Sequence, residues 1–198
     1  MSAQPPGTPL PAGSPEGRTS PPASRLGPEW VVGADGLRFR RGARVILLDP
    51  DGRVLLVRGH DVDQPGRSWW FTVGGGIDAG EDAAAAAVRE VREETGIVLT
   101  VADLEGPVVR RSAVFDFYAE TCRQDEEIFV ARVGPTAALT RDGWTAVEHE
   151  TLDEMRWWSA DELDAVTIEV FPAELAELVR AFAPGWDGVV RDLGEGRG

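Results

Sequence analysis

The chain has 198 residues, 20 basic and 34 acidic side chains, and a formal charge of −14. That is the length of one domain with tails, and a folded body of about 150 residues buries roughly 70% of its unfolded surface without staples. The acidic balance opposes sequence-independent duplex binding, which needs clustered basic side chains, and no apolar run approaches the ~18 residues of a membrane span.

A single cysteine, Cys122, excludes an internal disulfide and a thiolate metal site, and it suits a reducing cytoplasm. All 20 basic residues are arginine, so the chain has no P-loop lysine and no Schiff-base chemistry. No asparagine is present, so there is no N-glycosylation site. The N-terminus lacks a charged stretch followed by an apolar one, so no secretory signal is expected.

Residues 1–28 hold eight of the 14 prolines and no aromatic side chain, which predicts a disordered head. From Trp30 the patterning changes. The apolar runs 44–49 and 53–58 flank Asp49-Pro50-Asp51-Gly52 and predict a hairpin. Residues 69–73 form another β-prone run, which stops at Gly74-Gly75-Gly76. Residues 81–95 lack internal proline and glycine and end at Gly96, which predicts a helix with its C-terminal glycine. Strand-like runs recur at 97–102, 108–119, 126–133 and 155–158. Ser159 and Glu162 form a capping box, and Pro172 is expected to open a last helix through Phe182. The expected organisation is a tail over 1–28, a folded domain over 30–184 and a Gly-rich tail over 185–198. Strands outnumber helices, giving an α+β class with a mixed sheet and a helix on each side.

On a helical wheel, Ala87, Val88, Val91 and Thr95 fall within about 60° of Ala84, which predicts the core face. Glu90, Glu93 and Glu94 share an arc beside that stripe. Like charges three or four residues apart cost roughly 0.2–0.5 kcal/mol each, and anions near a helix C-terminus oppose the macrodipole. A divalent cation reverses both penalties, because magnesium takes a few hard oxygen ligands and keeps positions open for water and phosphate. Glycines before the helix let the backbone approach a ligand closely, and helix-start N–H groups can face a phosphate.

Gly75, Glu81 and the run Arg89-Glu90-Val91-Arg92-Glu93-Glu94-Thr95-Gly96-Ile97 resemble a complete Nudix box, G-x5-E-x7-R-E-U-x-E-E-x-G-U with U aliphatic. The match covers 23 of 198 residues, and all seven fixed positions agree. The resemblance implies an α/β/α sandwich and an enzyme that hydrolyses a nucleoside diphosphate linked to another group. It implies Mg²⁺, or Mn²⁺, held by Glu90, Glu93, Glu94 and the carbonyl of Gly74. Arg89 is then expected to orient the glutamates, and Glu81 to steady the loop. The water proton goes to Glu93 or Glu90, with Glu126, Glu127, Glu148 and Glu150 as alternatives outside the box.

Other residues read more plainly. Arg58 and Arg67 lie near the glycine run and are candidates to hold substrate phosphate. Trp69, Trp70, Trp157 and Trp158 are expected in the core, and His60 and His149 on the surface. Asp125-Glu126-Glu127 reads as a hairpin tip, and Cys122 as an inert thiol. The expected partner is a small nucleotide, with no duplex nucleic acid, no membrane and a homodimer as an open option. A non-catalytic nucleotide-binding regulator of the same fold is the alternative function. A prenyl diphosphate isomerase, which would need Cys122 as an acid, is a second.

Overall fold

The computed structural model describes residues 26–64, 66–134 and 138–197; the expected head at residues 1–25 lies outside them. The period-two alternation of strand side chains builds the layers. In β2 (Arg38–Leu48) and β3 (Val54–His60), Ile46, Leu48, Val54 and Leu56 face one core, while Val45, Leu47, Leu55 and Val57 face another. Both faces of the sheet therefore need cover. The second core is covered by α1 (Ala83–Thr95) through Ala83, Ala86, Ala87 and Val91. The first is covered by α3 (Ala160–Ala165) and α4 (Leu175–Phe182) through Leu163, Leu175, Leu178, Val179 and Phe182. The result is the expected α+β architecture, an α/β/α sandwich around a mixed sheet. No helix among the described residues is long and apolar enough to cross a membrane.

The remaining elements are β1 (Val31–Val32), β4 (Ser68–Gly76), β5 (Leu104–Phe117), β6 (Glu120–Arg132), α2 (Ala146–Thr151), β7 (Leu152–Trp158), β8 (Glu169–Phe171) and β9 (Arg191–Arg197). The sheet runs β7-β3-β4-β2-β6-β5-β9, with β1 added to β2 and β8 to β4. β2 pairs parallel with β6 and antiparallel with β4, so β2 carries the centre of the sheet.

Several expectations change. The turn at Asp49–Gly52 forms, but its strands meet only at Leu48 and Val54 before β4 inserts between them. Residues 97–102 are not a strand; a 3-10 turn at Val101–Asp103 leads into β5 instead. The polar triplet Asp125-Glu126-Glu127 is mid-strand in β6, and the β5–β6 turn is at Tyr118-Ala119, both at positive φ. The last helix begins at Leu175, after Pro172, whose carbonyl accepts from the Leu175 N–H. Arg191–Arg197, expected in a tail, pair parallel with β5 and extend the sheet.

Candidate active site

The Gly-rich end of β4 and the helix α1 form one unit. Asp82 caps α1 by accepting the Ala85 N–H at 2.8 Å, and Gly96 closes it with φ 77° and its N–H on the Arg92 carbonyl. Both caps remove unpaired backbone groups that a helix end otherwise leaves. Arg89 then ties helix to loop. Its guanidinium pairs with Glu81 through two hydrogen bonds of 3.0 and 2.9 Å, and donates to the Gly76 carbonyl at 2.9 Å. It also reaches Glu90 at 2.8 Å and Glu93 at 3.0 Å. Those bonds, Glu81's above all, raise the guanidinium's proton affinity, and the bond from Arg89 lowers that of Glu81. Arg89, expected to orient the glutamates, thus contacts Glu81, Glu90 and Glu93 as well as the loop.

The buried face of α1 is rotated from the expected stripe. Ala83, Ala86, Ala87, Glu90, Val91, Glu94 and Thr95 are inside, whereas Ala84 and Val88 are only half-buried. Glu90 and Glu94 thus point into the protein. Glu94 is 3% exposed and accepts the Gly74 N–H at 2.8 Å. Burial, then the charge of Glu90, pushes its carboxyl well above the usual carboxylate range. Burial raises Glu90 too, against the pull of Arg89. A third carboxylate comes from α2: Glu90, Glu94 and Glu148 each offer an oxygen, all within 4.8 Å of one another. Three crowded carboxylates, two of them buried, offer the hard oxygens that a divalent cation takes, so the donor set fits such an ion.

Glu93 is outside this cluster; its side chain is 44% exposed at the rim of the cleft. The Gly74 carbonyl, expected to face a metal, accepts from Arg44 Nη1 at 2.9 Å. Gly74 has φ +133°, and a side chain there would run into the Ala43 main chain. A Cβ on Gly75 would approach the Glu90 carboxylate to 2.7 Å, so Gly75 makes room for the acid while Gly74 lets β4 lie close to β2.

The cleft beside the cluster has a volume of about 530 Å³. Arg40, Arg44, Arg67 and Arg111 line it, along with Trp30, Trp69 and Phe115. Arg67 is therefore at the cleft, paired with Glu169 at 3.2 Å. Arg58 is not among the lining residues; it pairs with Asp153 and Glu154 on the β3–β7 side. His60 also meets Asp153, at 3.1 Å. Trp70 and Trp158 pack edge to face in the core as expected, while Trp69 faces the cleft beneath Arg67. Cys122 is buried on β6, away from the cleft lining, and burial pushes its thiol up to about 11. It is not placed to act as an acid on a bound substrate.

The sequence names Glu126 only as an alternative proton acceptor, not as the floor of the cleft. Glu126, 3% exposed, is held between Arg44 and Arg111. Burial would raise its carboxyl, but the two guanidinia hold it at about 2. Arg40 bonds the Gln124 side chain, stacks on Trp30 at 4.3 Å and is brought down to about 10 by burial and by Arg44. The signal was present: Arg40, Gly42 and Arg44 alternate along β2 opposite Gln124, Glu126 and Ile128 of β6.

A model of the NUDIX domain matches residues 38–182. An RNA pyrophosphohydrolase of Caulobacter vibrioides is 32% identical over 178 residues, covering 81% of this chain and 97% of its own. One from Acidiphilium cryptum is 29% identical over 160 residues, covering 77% and 95%. The crystal structure of a mutator MutT protein from Bacillus halodurans superposes with a TM-score of 0.52 at 22% identity, covering 78% of this chain and 89% of that one, which supports the fold.

Proposed function

The chain belongs to the NUDIX family of hydrolases, and from that premise we propose that it is a divalent-cation-dependent pyrophosphohydrolase of nucleotides. The observation that carries this reading is the cluster of Glu90, Glu94 and Glu148 beside an arginine-lined cleft. The relatives named RNA pyrophosphohydrolase make an RNA bearing a 5′-triphosphate the first substrate to test. We place the protein in the cytoplasm, where a lone buried thiol is stable.

In this reading Glu90, Glu94 and Glu148 hold Mg²⁺ or Mn²⁺, and the Gly74 N–H aims Glu94. A bound cation lowers the pKa of water and neutralises phosphate charge. Arg89 bridges Glu90 and Glu93 through one nitrogen and orients both. Glu93, the box carboxylate at the rim, accepts the proton of the attacking water. Arg40, Arg67 and Arg111 are the cations that meet the phosphate chain.

The test compares wild type, Glu94→Gln and Glu93→Gln with triphosphorylated RNA, ATP, ADP-ribose and a dinucleoside tetraphosphate. Phosphate and pyrophosphate release are read with Mg²⁺ or EDTA. Glu94→Gln is expected to lose about a thousandfold in turnover, the equivalent of roughly 4 kcal/mol, and to bind Mn²⁺ weakly in calorimetry. Glu93→Gln is expected to lose about a hundredfold in kcat with Mn²⁺ affinity retained. Turnover that survives EDTA, or nucleotide binding without release of phosphate, overturns the proposal.

A further inference from the structure

Glu148 reaches the cluster from a helix of six residues, too short to hold its own position. What sets it in register is the turn before it, which is clamped to the C-terminal end of α1. The Thr140 N–H donates to the Thr95 carbonyl at 2.9 Å. Gly143 lies so close to the Glu93 main chain that a Cβ would overlap the Glu93 carbonyl oxygen. Trp144, 8% exposed, donates its indole N–H to the Glu94 carbonyl at 2.8 Å. These carbonyls are among the last four of α1, which have no partner within the helix.

The next residue, Thr145, caps α2. Its N–H donates to Glu148 Oε2 at 2.6 Å, and its hydroxyl accepts the Glu148 N–H at 3.3 Å. Two adjacent residues therefore connect the main chain of Glu94 to the carboxylate of Glu148. Arg141 covers the Trp144 ring at 4.9 Å, and the His149 ring lies 5.6 Å from it. On another side, the Tyr118 hydroxyl bonds Glu150 at 3.3 Å. Trp144 supplies both buried area and one directed donor, a combination that an indole offers and a phenyl ring does not.

We propose that Trp144 is a positioning residue for the cation site, fixing the distance between Glu94 on α1 and Glu148 on α2. The inference rests on the reading of Glu148 as a cation ligand. Trp144 touches neither cation nor substrate; it acts through the helix that carries Glu148.

The test is Mn²⁺ calorimetry on the full chain, after EDTA and dialysis, for wild type, Trp144→Phe, Glu148→Gln and the double variant. Trp144→Phe keeps an aromatic ring but lacks the N–H. It is expected to weaken Mn²⁺ binding about tenfold, as loss of a group that orients a ligand does. Glu148→Gln is expected to weaken binding at least as much, and the double variant no more than Glu148→Gln alone. Gly143→Ala, which pushes the turn off Glu93, should also weaken binding with the indole intact, and it serves if Trp144→Phe does not fold. Wild-type affinity in Trp144→Phe, or losses that multiply in the double variant, overturns the inference alone. Wild-type affinity in Glu148→Gln overturns Glu148 as a ligand, and this inference with it.

Discussion

Glu94 and Glu126 are equally buried, each 3% exposed, and both line the same cleft, yet their charges are managed in opposite ways. Glu126 lies between Arg44 and Arg111, which hold its carboxyl at about 2. Glu94 has Glu90 for a neighbour and a single backbone N–H for a donor, and burial drives its carboxyl upward. Equal burial with opposite outcome shows that the partners decide the state of a buried acid. The chain itself supplies the counter-charge for Glu126. Glu90 shares Arg89 with Glu81 and Glu93, and Glu94 feels Arg44 only through its charge, so the proposed cation would supply the counter-charge that the chain gives Glu126 directly.

The most direct way to break the comparison is to neutralise each acid in turn. Glu126→Gln leaves Arg44 and Arg111 without their carboxylate, and breaking a buried pair from one side costs about 3–5 kcal/mol. Urea unfolding in EDTA should report that loss. Glu94→Gln under the same conditions should lose nothing and should gain if repulsion from Glu90 dominates, because it removes an unwelcome charge. Equal losses in the two variants would contradict the contrast.

Acidity sharpens the same contrast without mutation. Glu126 has a folded pKa of about 2 against an ordinary 4.5, so it contributes stability above the ordinary value that is lost as pH falls toward 2. By linkage that contribution is about 3 kcal/mol. Glu90 and Glu94 are shifted upward, so their folded forms bind more protons and the protein gains stability as pH drops from neutral toward the ordinary value. Metal-free protein should therefore be most stable at mildly acidic pH and fall off steeply below about pH 4. Saturating Mg²⁺ should abolish the acid gain, since proton and cation compete for the same oxygens. Melting curves from pH 3 to 8, with and without Mg²⁺, test this; a monotonic loss from neutral pH downward in EDTA contradicts it.

The two regions were not equally legible in the sequence. Glu90, Glu93 and Glu94 stand on one helix, so spacing alone grouped them in the sequence; the wheel centred the core on Ala84 and placed all three beside it, whereas Glu93 stays at the rim. α1 lays its alanines and Val91 on the hydrocarbon core, but it also passes beside the glycine loop, and there Glu90 and Glu94 face inward. Glu126 was hidden by its neighbours, since Asp125 and Glu127 made a charged triplet that resembles a turn. Only the period of two, continued through Gln124 and Ile128, separates it from them. Glu148 was one of several acids outside the box, and nothing local distinguished it. Its place depends on Trp144 docking on α1, a contact 50 residues distant. β9 was missed because glycine is poor in strands, and its pairing is with β5, far back in the chain.

The smallest expected effect comes from Arg58, which is the solvent-exposed counterpart of the Glu126 arrangement. It meets two carboxylates, Asp153 at 3.1 Å and Glu154 at 3.0 Å, just as Glu126 meets two guanidinia. All three groups are partly exposed, and water and salt screen such pairs, so each contributes about 0.2–1 kcal/mol. Arg58→Ala should lower stability by less than about 1 kcal/mol and change kcat/KM by less than about twofold, because the side chain is not part of the cleft lining. Arg67→Ala, at the cleft, should instead raise KM while leaving Mn²⁺ affinity unchanged. If Arg58→Ala raised KM as much as Arg67→Ala, the boundary of the cleft would have to be redrawn to include the β3–β7 edge. If it destabilised as much as Glu126→Gln, burial would no longer account for the weight of the Arg44–Glu126–Arg111 contact.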